Sequence, residues 1–192
     1  SGGGLYNAAR PSIDSCYFAG NRALSGGGMA NSGFNGQPTV LHSVFYQNNA
    51  GTGGGVHNNF VGTPEFSHCS FMENTALNEG GGVSNLGNQA SFVHCRFEEN
   101  ACQGKGGGFY GSVLSSAQLI SCAFTGNSSG EIGGGIYTNQ DLVLQNCLLS
   151  GNRASEGGGV FYYITSGLNA RLNHCTFGGN FAEDRGGAVA VF

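Results

Sequence analysis

Six cysteines recur at one phase of this sequence (Cys16, Cys69, Cys95, Cys122, Cys147 and Cys175), and four of the five histidines, His42, His68, His94 and His174, stand one residue before that phase. Ser43 takes the cysteine position once, and Cys102 lies outside it. Regular thiols point to a disulfide framework in a secreted protein. Imidazoles at constant spacing point to a metal site, because neighbouring ring nitrogens can share one ion. Glu73, Glu98 and Glu99 make the best acidic group, the residue type that holds calcium or serves as an acid and base pair on polysaccharides. Tyr110, Tyr137 and Phe161, with Tyr162 and Tyr163, offer a fourth chemistry, the stacking of flat rings on sugars or on a protein partner.

Each chemistry depends on what brings these recurrences together. The unit is Cys-x-Phe-x-x-Asn followed by a glycine triplet, and it fills the chain. The triplets end at Gly4, Gly28, Gly55, Gly82, Gly108, Gly135 and Gly159, with a degenerate copy at Gly186-Gly187-Ala188, so successive units lie 24 to 29 residues apart. A period of that size marks a solenoid, in which one coil cannot bury its apolar face alone. With 37 glycines, many Asn, Ser and Thr, and no leucine-x-x-leucine spacing, the coils read as strands and turns. Phe66 and Cys69, three residues apart, cannot both point inward on a flat strand, so a bend separates them. The expected fold is all-β, a single-stranded right-handed parallel β-helix of about seven coils.

Stacked in register about 4.8 Å apart, the coils put like over like. Ile13, Val40, Phe66, Phe92, Leu119, Leu144 and Leu172 make one apolar column, and Phe18, Phe45, Phe71, Phe97, Phe124, Leu149 and Phe177 a second. Leu5, Met29, Val56, Val83, Phe109, Ile136, Val160 and Val189 make a third. A column of small residues from Ala23 to Ala182 suggests a tight corner. Asn21, Asn48, Asn74, Asn100, Asn127, Asn152 and Asn180 are expected to form a ladder of amides bonded from coil to coil at a bend that water does not reach.

The Phe-x-x-Asn element followed by Gly-Gly-Gly and an apolar residue resembles the repeats of the polymorphic outer-membrane proteins and related bacterial surface proteins, with Gly-Gly-Gly where that family has mainly Gly-Gly-Ala-Ile. The resemblance covers the whole chain. It implies a right-handed parallel β-helix displayed outside a bacterial cell, often associated with adhesion; the membrane-embedded barrel expected in such autotransporters is not in this sequence.

The repeat then sorts the chemistries. In-register thiols keep the coil spacing, beyond the Cβ separation of about 3.8 Å that a disulfide prefers, so the cysteine column reads as buried free thiols acting as small hydrophobes. The histidines read as a ladder at the solvent edge, with no carboxylate in their column. Glu79 is expected to face Lys105, and Glu156 to face Arg185, as surface pairs that help set register. Tyr110, Tyr137 and Phe161 fall on consecutive coils as an exposed aromatic strip, either a ligand surface or a ladder that supports the sheet. The segment between triplet and cysteine varies from 12 to 16 residues and is longest after Gly159, so the protruding loop belongs there.

Charged residues are 9%, net charge is −4, and Lys and Arg number seven, which leaves no basic stripe for nucleic acid. No run is long enough to span a membrane as a helix. The chain starts inside a repeat and without Met, so residues 1–192 are expected to be one β-helix domain uncapped at both ends, a piece of a longer solenoid or a subunit that stacks head to tail. The expected function is a non-catalytic extracellular structural or adhesive module without a cofactor. Its partners are flanking coils, a second copy, surface glycans or a host protein. The alternative is a carbohydrate-binding or polysaccharide-cleaving β-helix using the aromatic strip and the loop after Gly159.

Overall fold

Alternating inward and outward residues, interrupted by left-handed ones, divide each coil into four short strands. The computed structural model describes residues 1–33, 36–59, 62–112, 115–164 and 169–192. In the third coil, Val56–Asn59 lies on face 1, Glu65–Ser67 on face 2, Ser70–Met72 on face 3 and Thr75–Glu79 on face 4. Equivalent strands of successive coils pair in parallel, giving one sheet of eight strands on face 1 and three sheets of seven on the other faces. The architecture is the right-handed parallel β-helix expected from the repeat.

Three of the four corners turn through left-handed residues. Ser15, His42, His68, His94, Ser121, Asn146 and His174, between faces 2 and 3, all have φ between 45° and 54°. Gly20, Gln47, Glu73, Glu99, Gly126, Gly151 and Gly179 make the corner between faces 3 and 4, with φ of 50° to 65°. The first triplet glycine makes the third corner, with φ of 62° to 72°. The last admits glycine alone for a second reason: a Cβ on Gly80, Gly106 or Gly133 would lie inside the 3.0 Å that real Cβ atoms keep, against the carbonyl three residues on. At Gly20 and Gly179 nothing lies within 4 Å of that position, so Gln47, Glu73 and Glu99 occupy the same corner in other coils. The fourth corner, between faces 1 and 2, is the loop of variable length.

Register places the apolar columns as read from the sequence. Phe66 pairs with Val40 and Phe92, and Phe71 with Phe45 and Phe97. The rings of Phe18, Phe45, Phe71, Phe97 and Phe124 stack at 5.0, 5.1, 4.8 and 4.3 Å, nearly parallel, while Phe66 and Phe92 meet this stack edge-on. Such pairs add to area burial. Ala23 to Ala182 correct one expectation: these small residues lie on the strands of face 4, and the bend falls at the left-handed residue before each ladder asparagine.

The ladder satisfies every polar group of its interior amides. Asn100 Nδ2 donates to the carbonyl of Phe71 at 2.9 Å and to Asn127 Oδ1 at 3.0 Å. Asn100 Oδ1 accepts from both the backbone and the side chain of Asn74, each at 3.0 Å. The same four bonds recur at Asn48, Asn74, Asn127 and Asn152, all fully buried.

Candidate functional site

Face 1 carries most of the residues expected to bind a ligand, and the structure corrects their expected exposure. Tyr110, Tyr137 and Phe161 do stack, at 5.1 and 5.8 Å, and Phe192 extends the row at 5.2 Å. They are not an exposed strip, because their exposures are 7%, 7% and 6%. The corner between faces 4 and 1 is re-entrant: a Cβ on Gly106 or Gly133 would fall 2.9 or 2.8 Å from the Cβ of Tyr110 or Tyr137. Leu86 and Ile132 pack over the rings, and Lys105 Nζ lies 5.4 Å from the Tyr137 centroid. Burial holds the Tyr110 and Tyr137 hydroxyls above their usual pKa. Tyr162 points into the main core at 3% exposure, whereas Tyr163 is half exposed. Residues 165–168 of the loop after Gly159 lie outside the described residues.

Lys105 also revises the charge row. Glu79 and Lys105 are bridged in register, but the ammonium turns to the tyrosine ring and makes no ion pair with Glu79. Glu156 and Arg185 do pair, at 2.8 Å. Glu73, Glu98 and Glu99, with Met72, line an open dimple of about 140 Å³, where Gln47 donates to Glu73 at 2.9 Å. Among the described residues no three His, Cys, Asp or Glu side chains converge on a metal position.

His42, His68 and His94 form the expected solvent-edge ladder, with ring centroids 5.3 and 4.8 Å apart. Their left-handed backbone explains the residue choice, since histidine and asparagine tolerate that region better than branched residues. The column itself holds no carboxylate, but Asp14, one residue before its first position, sets Oδ1 3.1 Å from His42 Nδ1, and its pKa is lowered by that bond. The thiols are all free. Cys69, Cys95, Cys122 and Cys147 are buried, and each rests its sulfur on two backbone carbonyls.

Two features of face 1 escaped the sequence reading. Asn7, Asn31, Asn58 and Asn85 form a second buried ladder, with bonds of 2.9, 2.8 and 3.3 Å. Its signal was an asparagine three residues after the triplet in four consecutive coils. Gly111 has no side chain to continue it, so Asn85 Nδ2 ends without a partner. On the outer side of the same strands, His57 is buried at 6% exposure with Nδ1 unpartnered, and burial pushes its pKa down to about 4. Below pH 6.5 the unfolded chain takes up this proton before the folded one does. Stability should therefore fall by about 3 kcal/mol as pH drops from about 6.5 to 4. Urea titrations across that range should show the loss, and His57→Phe, which places a ring that cannot be charged at the same buried position, should remove most of it.

A polar groove runs along the loop corner. Thr63, Gln89, Ser115, Ser116, Gln140 and Asp141, with Gly62, line about 480 Å³ over four consecutive coils. Asp141 already accepts a bond from the Asn169 backbone at 2.8 Å.

The fold and these columns define a class, the β-solenoid whose recurrent side chains serve stacking. Within that class, the family model for the Chlamydia polymorphic membrane protein (Chlamydia_PMP) repeat matches residues 121–139, a stretch holding Cys122, Phe124, Asn127 and the triplet Gly133–Gly135. The match covers one unit, and the strand register carries the same unit through the remaining coils. No curated protein and no solved structure gives a match. No helix among the described residues is long and apolar enough to cross a membrane.

Proposed function

We propose that this chain is a non-catalytic module of an extracellular bacterial surface protein, a rigid solenoid that presents its loop edge to a partner. The observation that supports this most strongly is the use of the recurrent residues. Phenylalanines, asparagines, thiols and glycines are consumed by stacking, and the aromatic row is buried with them. What varies is the corner between faces 1 and 2. The resemblance of residues 121–139 to a polymorphic membrane protein repeat supports surface display. Labelled protein should bind host epithelial cells saturably and be displaced by unlabelled protein; linear, non-displaceable uptake would overturn the adhesive reading.

The polar groove favours a second reading, in which the partner is a glycan. Amides, hydroxyls and one carboxylate placed at coil intervals suit a chain of sugar hydroxyls better than the covered tyrosines do.

Residues 1–192 act as one β-helix body, and its partners include flanking coils or a second copy of the chain. A second copy entering in the same register would bring Leu5–Asn7 to the place that Val189–Val191 already holds on face 1. Head-to-tail growth of this chain therefore requires one of these strands to move aside. Sedimentation over a hundredfold concentration range should reveal fibres; a monomer throughout would sink the self-assembly reading.

A further inference from the structure

The thiol stack does nothing in the function proposed above, yet its geometry is specific. Cys69, Cys95, Cys122, Cys147 and Cys175 occupy five consecutive coils at the same point of each. Their sulfurs rest on carbonyls of the same and the preceding coil, which holds the stack in line. The coil spacing of about 4.8 Å is far beyond the S–S bond of about 2.05 Å, which is why the thiols stay unpaired. That spacing does match another bridge. A metal–thiolate bond is about 2.3 Å, so two in a straight line span about 4.6 Å. Side chains stand roughly perpendicular to their sheet, so an ion on the stack axis meets each sulfur nearly at right angles to its Cβ–Sγ bond, the bent approach that a sulfur lone pair favours.

We infer that neighbouring thiols of this stack form two-coordinate sites for a soft, linearly coordinating divalent cation, with mercuric ion as the chemical type. The absence of any three-residue ligand cluster among the described residues excludes ions that demand four ligands, such as zinc, and leaves a linear site untouched. Charge selects the valence. Two thiols and one divalent ion give a neutral dithiolate and two protons, 2 RSH + M²⁺ → M(SR)₂ + 2 H⁺, with no oxidant and no net charge left in the core. A monovalent ion between two thiolates leaves a negative charge in an apolar interior, which is costly. Without metal, burial opposes ionisation of every stacked thiol, while the hydrogen bonds between neighbours raise Cys95 and Cys147 and lower Cys69 and Cys122.

Five thiols in a row admit two bridges, because each sulfur serves one ion. This gives a positional rule for a background lacking the two cysteines outside the row (Cys16→Ser, Cys102→Ala). Mercuric chloride should load two ions per chain on the folded protein, each with two sulfurs at about 2.3 Å by X-ray absorption. Cys122→Ser should still load two, through Cys69–Cys95 and Cys147–Cys175. Cys95→Ser or Cys147→Ser should load one. Serine is already native to this column: Ser43 donates to Leu41 O at 2.7 Å and accepts from Cys16 N at 3.1 Å, so these variants should keep the fold, as circular dichroism would confirm. Silver ion should load less than mercuric ion. Loading that follows the number of thiols regardless of position, coordination by three or more sulfurs, or loading only after unfolding would each overturn the inference.

Discussion

Asn100→Ala should lower stability by about 4 kcal/mol or more, the largest expected effect of truncating one polar side chain. The substitution deletes two donated and two accepted hydrogen bonds. It also leaves the Asn74 amide, the Phe71 carbonyl and Asn127 Oδ1 buried with fewer partners. An orphaned buried polar group costs about 1–3 kcal/mol, and several are orphaned together. Asn21→Ala is the control, since Asn21 is half-buried and its Nδ2 donates one bond along the ladder; a loss of about 1 kcal/mol is expected there. Denaturant midpoints of the two variants test the contrast. Equal, small losses would mean that water reaches the ladder and that the bend is not sealed.

The second large effect belongs to the middle triplet glycine. A Cβ on Gly81 would fall against the carbonyl oxygens of Gly107 and Ala101, backbone atoms that no rotamer change can clear. Gly81→Ala should cost about 3 kcal/mol, the upper part of the overpacking range. Gly126→Ala changes a residue with φ of 65°, yet its Cβ would meet only Glu99 Cγ at 3.5 Å. Its cost should be the left-handed penalty alone, about 1–2 kcal/mol, and the native Gln47, Glu73 and Glu99 at that corner show the chain tolerates it. If thermal melts rank the two in the opposite order, the triplets serve turn conformation rather than close coil approach.

The contrast shows why some of the molecule was legible in advance. Columns such as Phe45, Phe71 and Phe97 are readable because stacking repeats one environment, and one residue type answers it in every coil. The left-handed corners at His68 and Glu73 are not readable, because histidine, serine, asparagine, glutamine and glutamate all accept that backbone and the column looks merely variable. Tyr110 and Tyr137 fail for another reason. Alternation tells which side of a strand faces away from the core. It does not tell whether a re-entrant corner folds Leu86, Lys105 and Ile132 across that side. The second ladder, Asn7 to Asn85, covers only half the coils, so its pattern is diluted by Gly111, Thr138 and Tyr162. The polar groove joins residues on loops of unequal length, and Gln89 and Gln140 come together only once the strands fix the register.

In the proposed function labour is divided, stacking by what recurs and recognition by the loop edge. Saturable cell binding of a variant carrying Thr63→Ala, Gln89→Ala, Ser116→Ala, Gln140→Ala and Asp141→Ala tests it most directly, because these side chains support no core column. The expected result is a loss of binding of at least about tenfold, 1.4 kcal/mol, with an unchanged melting temperature. Undiminished binding by this variant, together with loss on changing Tyr46 and Met72 on face 3, would contradict it.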